Sequence, residues 1–512
     1  MQRAPVLMLG LDAADADLIE RLMAQGRLPN LQKLRQRGVF GRLASPAGQY
    51  AGAVWPTFYT GMDVPWHGVF HNKLWRPDAM RVEVAGEHWI NSRPFWESLA
   101  DPEQRLCLID VPMVLGPPKP LNGVHLSGWG THDVLSKGAW PRELWQQLEH
   151  KHGAPVMPPE HFGAQSVSSL EQLAETLNRA TAQLRDIAMD LLEREPWQLA
   201  CIVFGATHRA GHYLWDRSQV ESRRATERGQ SELPPALAGV YEGVDAAVGA
   251  ILARLSQETL VIAFAVHGMG PNPGWSDLLP DMLAQLEAAS GGQAPRRGWL
   301  YALKQRLPFH WVRPVLTRLP LAVTDRLVAM WSARMFDWSQ TRYFPMPMDE
   351  SGYLRINLRG REPAGIVDAG EEYASVCSRL ERWLLSLRDA DSGAAIATAV
   401  IRAYEEADPR APYRDLLPDL IVPWSGPAAS QTREIVSTEL PEFRFRVPDR
   451  LPSGRSGNHT DAAWFIAQGP GVGQGTLSAK HSVLDLLPTV LQYLNMAPHR
   501  GQGVAIDLSG TG

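Results

Sequence analysis

Apolar runs of about six residues recur along the first half of the chain and alternate with longer amphipathic stretches. The runs at 5–11, 105–111, 199–204 and 259–266 carry few charges, so each predicts a strand buried on both faces. Between the second and third runs, residues 169–194 have the apolar spacing of a long helix. Strands that alternate with helices predict an α/β fold, with a mostly parallel sheet sandwiched by helices.

The pattern changes after residue 274. Over 275–349 tryptophan, arginine and proline are frequent and no clear strand pattern is present, which predicts a mostly helical insertion, either a cap or a dimerisation arm. Strand patterns return later, at 352–358 and 394–404, and the glycine-rich segment 454–459 predicts a loop. We therefore predict a core in two parts, residues 1–274 and 350–512, separated by the insertion.

Composition and charge exclude several classes of partner. The chain has 512 residues, 45% of them hydrophobic, and a net charge of −5, so nothing favours nucleic acid or an anionic membrane surface. No run reaches 18 apolar residues, and the first apolar run is too short for a signal peptide. Cys107, Cys201 and Cys377 lie far apart in apolar runs, as buried thiols of a reducing compartment would. We expect a cytoplasmic protein that acts on a small molecule, as a monomer or a homodimer.

Candidate chemistry lies where the predicted strands end. His208 and His212 follow the strand at 199–204 with a spacing of four, which places both rings on one face of a helix and suits two ligands of one metal ion. Asp12 and His267 follow two other predicted strands. Ligands of parallel α/β sheets bind beyond the carboxyl ends of the strands, so these four side chains share one predicted site. The alternative is a pair of partly buried histidines without a ligand role.

Short motifs extend the pattern over the whole chain. In order they are Gly10-Leu11-Asp12, Thr60-Gly61, His67-Gly68, His212 with Leu214-Trp215, His267-Gly268, Asn357–Val367, Leu417–Val422, His459, Gly469–Gly471 and Leu486–Thr489. With these motifs in this order, the chain resembles the type I phosphodiesterase/nucleotide pyrophosphatase branch of the alkaline phosphatase superfamily. The resemblance implies an alkaline phosphatase-like fold. Within Asn357–Val367, we expect Arg359 and Arg361 to organise the structure around an acidic partner such as Glu362.

The resemblance also implies two zinc ions and a serine or threonine nucleophile at a helix N-terminus. One ion is held by an aspartate, a histidine four residues later and a distant histidine, and His212 and His459 match the two histidines. The other is held by the aspartate after the first strand, an Asp-His pair and the nucleophile. Asp12 and His267 match two of these ligands.

Three positions depart from that pattern. His208 stands where the first ion's aspartate is expected, Val266 replaces the aspartate of the Asp-His pair, and Ala51 replaces the nucleophile. The chain therefore has three histidines for one ion and too few ligands for a second.

We interpret His208, His212 and His459 as the site of one divalent metal, zinc in first place, with iron and manganese as alternatives. Asp12 and His267 would then act as general base and acid. Such a site predicts metal–water or Lewis-acid chemistry on an anionic or carbonyl-bearing small molecule. The reaction would be a hydrolysis, an elimination or a rearrangement, and it would not pass through a phospho-enzyme.

Two other interpretations stay open. In the first, phosphodiesterase or phosphatase chemistry persists with a substitute nucleophile, for which Tyr50, Thr57 and Ser45 are the candidates. In the second, the chain is a non-catalytic relative that binds a ligand or partner. In either enzyme, the backbone N–H groups of Ala51 and Gly52 can face an anion. We therefore assign possible substrate contacts to four residues: Tyr50, Ala51, Gly52 and Arg209.

Overall fold

The computed structural model describes residues 4–98, 104–131, 135–158, 163–220, 235–291, 327, 336–346, 351–496 and 501–509. Its strands in chain order are β1 Val6–Leu11, β2 Val39–Ala44, β3 Lys73–Arg76, β4 Arg81–Val84, β5 Leu106–Ile109, β6 Gly123–Ser127, β7 Gly138–Trp140, β8 Leu199–Phe204, β9 Leu260–Ala265, β10 Gly268–Pro271, β11 Tyr343–Pro345, β12 Gly352–Ile356, β13 Leu387–Asp389, β14 Leu420–Val422, β15 Glu434–Ser437, β16 Arg444–Arg446, β17 Gly457–Thr460, β18 Ala463–Gln468, β19 Gly475–Thr476 and β20 His481–Ser482.

The helices of the same residues are α1 Ala16–Ala24, α2 Pro29–Arg37, α3 Val54–Thr60, α4 Val64–His67, α5 Leu144–His152, α6 Val167–Arg194, α7 Ala206–Leu214, α8 Pro235–Leu252, α9 Trp275–Ala289, α10 Glu371–Leu385, α11 Ala403–Glu406 and α12 Val483–Tyr493. Two compact units contain these elements. The first comprises Met1–Phe70, Gly86–Asn272 and Pro452–Gly512, and the second His71–Ala85 and Pro273–Leu451.

The first unit is built on one large sheet with the strand order β19-β2-β18-β9-β1-β8-β5-β6-β7, and β20 pairs with β2. The pairs β9–β1, β1–β8, β8–β5 and β5–β6 are parallel, while β18 and β7 pair antiparallel with their neighbours. The predicted mostly parallel sheet between helices is confirmed. Because β1 lies between β8 and β9, the carboxyl ends of these three strands meet at one edge.

Both faces of this sheet are buried, which explains the uninterrupted apolar runs. Alternate residues of β1 enter two different core clusters: Leu7 and Leu9 pack on the side of α6 and α8, and Val6 and Met8 on the side of α3 and α12. The helix α8 has the length and apolar composition of a membrane span, with a mean hydropathy of 1.3, but half of it is buried inside the protein. Its apolar residues belong to the first core cluster, as in a core helix.

The second unit contains small antiparallel sheets, β11-β12-β14, β13-β15-β16 and β3-β4. Helices α9 and α10 pack on the first two of these sheets around one apolar cluster. The boundaries of the two compact units differ from those of the three predicted segments. Of the predicted insertion 275–349, residues 292–326, 328–335 and 347–349 lie outside the described part, so its mostly helical character stays a prediction.

Two local predictions are wrong. The run at 394–404 is not a strand, because Ala397 and Ile401 each make a single bridge, to Trp424 and Ile421, and α11 begins at Ala403. The segment contacts neighbouring segments one residue at a time instead of following one strand. The predicted loop 454–459 becomes β17 from Gly457 onward, since it pairs with the distant strand β10.

Candidate metal centre

Helix α7 starts two residues after β8 ends and carries His208 and His212 on one face. Their Nε2 atoms lie 3.0 Å apart, so both rings converge on one point. Gly211 lets the helix approach the strands beside it, because a Cβ at this position would lie 2.5 Å from Met269 Cγ. The i,i+4 spacing and the close approach together direct both rings toward one point.

His459 reaches the same point from the antiparallel pair β10–β17, in which Met269 faces His459. Its Nε2 atom lies 2.9 Å from His208 Nε2, and the three ligand atoms all lie within 4.8 Å of one another. A cation about 2.0–2.1 Å from each of three imidazoles holds their nitrogens about 3.3 Å apart in a tetrahedral site. The two distances from His208 Nε2, 3.0 Å to His212 Nε2 and 2.9 Å to His459 Nε2, are close to this value.

The hydrogen bonds of two rings fix where their protons are. His212 Nδ1 lies 3.1 Å from the carbonyl oxygen of Gly457, and His208 Nδ1 lies 2.9 Å from Asp12 Oδ2. Both oxygens are acceptors, so Nδ1 is the donor in each neutral ring and Nε2 carries a lone pair. In the neutral rings two lone pairs therefore face each other across 3.0 Å, which is unfavourable unless a cation or a shared proton lies between them. The residues thus fit a bound metal.

Burial favours the neutral form of His212 and His459. It lowers the pKa of His212 well below 6.5, and the positive charge of Arg455 lowers it further. Burial also lowers the pKa of His459 well below 6.5, and His267, His208 and Arg455 add to the shift. Since the neutral ring is the form that binds a metal, protons compete only weakly at neutral pH.

Asp12 occupies the position behind His208. Burial by itself would raise the pKa of its carboxyl, but His208 and His267 hold it well below 3.8. Oδ2 faces His208, while Oδ1 accepts a hydrogen bond from Trp55 Nε1 at 2.7 Å and lies 3.3 Å from His267 Nε2. The Thr207 hydroxyl donates to the Asp12 carbonyl oxygen at 2.6 Å. A carboxylate that accepts from the outer nitrogen of a ligand histidine orients that histidine.

The sequence interpretation missed Trp55 and Arg455. No periodicity connects Trp55 to a carboxylate 43 positions earlier, and tryptophan is more often a core residue than a site residue. Arg455 lies in the segment 454–459, for which the sequence predicts a loop. The positive charge of Arg455, two residues before β17, is the one signal for this residue in the sequence, and it is weak.

Two of the three candidate substitute nucleophiles, Ser45 and Thr57, are engaged elsewhere. Ser45 Oγ donates to the carbonyl oxygen of Val266 at 2.7 Å, and Thr57 Oγ1 lies 3.1 Å from His67 Nε2. His67 Nδ1 accepts from the Val69 N–H, and burial lowers the pKa of this ring to about 3. The neutral ring therefore carries its proton on Nε2 and donates to Thr57, so it cannot take up the proton of that hydroxyl.

The remaining predicted contacts lie on two short segments. Tyr50 is buried edge-on against Phe70, with ring centroids 5.4 Å apart. Ala51 and Gly52 open a 3-10 turn that continues into α3, and Ala51 is buried. Arg209 is buried on α7, one position after His208, so it leaves the helix about 100° away from that ring.

Comparison with known proteins agrees with this picture. The family described as type I phosphodiesterase / nucleotide pyrophosphatase matches residues 6–435. The match identifies a protein of the alkaline phosphatase superfamily, whose members depend on metal ions, usually zinc. The chain belongs to the type I phosphodiesterase/nucleotide pyrophosphatase family, which consists of hydrolytic enzymes. No curated protein sequence matches the chain.

Solved structures share the fold at low sequence identity. Phosphonoacetate hydrolase from Sinorhizobium meliloti, in complex with phosphonoacetate, is 13% identical over 97% of this chain and 96% of its own, with a TM-score of 0.51. Murine ectonucleotide pyrophosphatase/phosphodiesterase 5, in an inactive form with AMP, is 12% identical over 98% of both chains, with a TM-score of 0.49. The first likeness confirms the predicted alkaline phosphatase-like fold.

Proposed function

We propose that this protein is a hydrolase that holds one divalent cation, zinc in first place, on His208, His212 and His459. The observation that carries the proposal is the pair of Nε2 lone pairs that face each other 3.0 Å apart on His208 and His212. Two neutral rings in this arrangement need a cation or a shared proton between them, and the Nε2 atom of a third imidazole, His459, lies 2.9 Å from His208 Nε2. A bound divalent cation supplies Lewis-acid polarisation of a substrate oxygen.

Two other residues handle the proton. Asp12 keeps the His208 ring in its Nδ1–H form, because its Oδ2 accepts from that nitrogen at 2.9 Å. His267 Nε2 lies 3.3 Å from Asp12 Oδ1, so a proton held between these two atoms can be given or taken during the reaction. We assign proton transfer to His267, with Asp12 as its partner and as the positioning residue of His208.

The substrate class follows from charge and from the missing hydroxyl. Position 51 is alanine, and the hydroxyls of Ser45 and Thr57 are engaged, which supports direct hydrolysis without a phospho-enzyme. The positive charge of Arg455 next to His212 and His459 favours an anionic group on the substrate. A phosphodiester or another anionic ester fits both features and the family. Tyr50, Ala51, Gly52 and Arg209 remain our proposed substrate contacts.

The wider assignment rests on composition. A net charge of −5 supports a small-molecule substrate in place of nucleic acid or a membrane. Three buried free thiols support a reducing, cytoplasmic location.

The replacement His208→Ala tests the centre. We expect the metal content per folded chain, measured by mass spectrometry of the purified protein, to fall from about one equivalent to nearly none, since two imidazoles remain. The matched control is His150→Ala, which removes an exposed histidine from α5 and should leave the metal content unchanged.

Three results would contradict the proposal. Unchanged metal content in His208→Ala would place the metal elsewhere. Two tightly bound equivalents together with a phospho-enzyme on an aryl phosphate would favour a substitute nucleophile. A wild-type chain that binds no metal under gentle purification would favour a non-catalytic relative.

A further inference from the structure

We propose that Gly211 and Met269 form a spacer between helix α7 and the β10–β17 pair, and that this spacer makes the metal centre selective for a small cation. The inference rests on the proposed three-histidine centre and adds to it the contact that sets the size of its cation. Both residues are positioning residues, because they act through the histidines.

The centre is divided between two parts of the fold. Helix α7 carries His208 and His212, while β17 carries His459. The separation of α7 from the β10–β17 pair therefore sets the distance between the His459 ring and the other two rings. That distance decides which cation can contact all three Nε2 atoms, because a longer metal–nitrogen bond needs a wider triangle of nitrogens.

Gly211 lies where α7 contacts both strands. A Cβ on this residue would lie 2.5 Å from Met269 Cγ and 3.1 Å from Met269 Cε. Met269 is fully buried and faces His459 across the β10–β17 pair. On the other strand, a Cβ on Gly457 would overlap the Gly211 carbonyl oxygen. Since the packing leaves no gap at either strand, the helix cannot come closer.

Two hydrogen bonds hold the helix against the strands. The Ser456 N–H donates to the His212 carbonyl oxygen at 2.9 Å, and His212 Nδ1 lies 3.1 Å from the Gly457 carbonyl oxygen. The separation is therefore limited in both directions. Packing against Met269 opposes a closer approach, and these hydrogen bonds oppose a wider one.

The resulting spacing suits a small ion. His208 Nε2 lies 3.0 Å from His212 Nε2 and 2.9 Å from His459 Nε2, whereas zinc in a tetrahedral site holds these nitrogens about 3.3 Å apart. A larger ion such as Cd²⁺ needs a still wider triangle, for which α7 would have to move away from the strands. The spacer therefore favours Zn²⁺ over Cd²⁺, and a bulkier residue at position 211 should weaken that preference.

The experiment measures the dissociation constants of Zn²⁺ and Cd²⁺ by competition with a chromophoric chelator, a readout that does not depend on activity. We compare the wild type with Gly211→Ala, with Met269→Ala and with the double variant. Truncation of Met269 to alanine removes Cγ and Cε and leaves Cβ, which lies 3.2 Å from the methyl group added at position 211. If the two residues form a spacer, this truncation makes room for that methyl group.

We expect Gly211→Ala to weaken Zn²⁺ binding by more than about tenfold and Cd²⁺ binding by less, because the added methyl group pushes α7 away from the strands. In the Met269→Ala protein, the same change should alter Zn²⁺ binding by less than about threefold. An equal loss of Zn²⁺ affinity with methionine or alanine at position 269 would overturn the spacer. So would an equal loss of affinity for the two cations.

Two other helix glycines serve as matched controls. A Cβ on Gly243 of α8 would clash with Asn178 of α6, whereas no atom of another described segment lies within 4 Å of a Cβ on Gly239. Gly243→Ala should lower the unfolding temperature and Gly239→Ala should not, and both should keep the Zn²⁺ affinity of the wild type. A loss of affinity in Gly243→Ala as large as in Gly211→Ala would show that any misfit in the core weakens the centre, which would overturn the proposal.

The proposal can still be tested if Gly211→Ala fails to fold. Zn²⁺ binding by both Met269→Ala and the double variant would support the spacer, and its loss in the double variant alone would overturn it. A folded Gly211→Ala protein with unchanged Zn²⁺ affinity would overturn the spacer and leave the three-histidine centre standing. A wild-type chain that binds neither cation would mean that the proposed function has failed, and the size preference with it.

Discussion

Each of the two units buries a polar cluster, and the two clusters differ in whether their hydrogen bonding is complete. In the second unit, Arg355 donates to Glu362, and Arg361 donates to both oxygens of Asp419 at 2.9 and 2.7 Å. Tyr373 donates its hydroxyl to the same carboxylate at 2.7 Å. Two cations meet two anions there, so the cluster needs nothing from outside. In the first unit, the Nε2 atoms of three imidazoles converge on one point, and among the described residues no carboxylate is hydrogen-bonded to these three Nε2 atoms.

This difference separates a structural cluster from a functional one. Burial does not make this distinction, since the Arg355 side chain is fully buried and the His208 side chain is 16% exposed. The expectation that Arg361 organises the structure around Glu362 is confirmed, because its Nε–H faces both carboxylate oxygens. Arg359 instead pairs with the exposed Asp368. A buried cluster that is short of positive charge is the one that indicates a ligand.

The largest effect is expected when the fully hydrogen-bonded cluster of the second unit is broken. Arg361→Ala leaves Asp419 buried without its bidentate partner and should lower the free energy of unfolding of the second unit by about 3–5 kcal/mol. Denaturant unfolding followed by hydrogen exchange of the β12 and β14 amides measures it. Arg359→Ala, which removes an exposed pair, is the control and should cost less than about 1 kcal/mol. A similar cost for both would contradict a structural role for Arg361.

Acid should destabilise the first unit through buried histidines outside the metal centre. Burial lowers the pKa of His67 to about 3 and that of His125 to about 4, so between these values and about 6.5 only the unfolded state gains these protons. Stability then falls as the pH drops. Burial raises the pKa of Asp110 to about 6, which works in the opposite direction because the folded state takes up that proton first.

Between pH 7 and pH 5, each of the two histidines should lower the free energy of unfolding by about 2 kcal/mol. Asp110 should raise it by about 1 kcal/mol over the same range. Hydrogen exchange of the β5 and β6 amides at both pH values measures the difference. His125→Phe should remove its share of the pH dependence, since phenylalanine fits against Trp96 and does not titrate. The same pH dependence in this variant would show that His125 is protonated in the folded protein.

The smallest effect tests whether Asp12 orients His208 or binds the metal itself. Asp12→Asn keeps the shape and loses the charge, so the cation affinity should fall about 10–100-fold, or about 1.4–2.7 kcal/mol. Competition with a chelator measures it. Asp15→Asn is the control, because Asp15 caps α1 through the Asp17 and Leu18 N–H groups and asparagine caps equally well. No loss for Asp12→Asn would exclude an orienting role, and loss of all binding would make Asp12 a direct ligand.

The sheet and the shared address of Asp12, His208 and His267 could be predicted because both depend on local pattern. A fully buried parallel strand is apolar throughout, and the residues that follow such strands lie at one edge of the sheet. The run at 394–404 is equally apolar, yet its partners change along its length. Apolarity indicates burial, and only the neighbouring segments decide whether a buried run becomes a strand.

The pairing of β10 with β17 could not be predicted from the local sequence pattern, because it too depends on a distant segment. Glycine at 457 reads as a loop, but a Cβ there would lie 2.0 Å from the Gly211 carbonyl oxygen, so the residue serves close packing against α7. That packing brings the Gly457 carbonyl oxygen to His212 Nδ1 and fixes the tautomer of the ring.

The sequence by itself determined the α/β class, the family and the three histidines, because these follow from residue identity, spacing and order along the chain. Only the tertiary structure decided that Asp12 stands behind His208 and that Trp55 donates to Asp12. These contacts join residues 196 and 43 positions apart. Packing of the whole core sets such contacts, and no local periodicity records them.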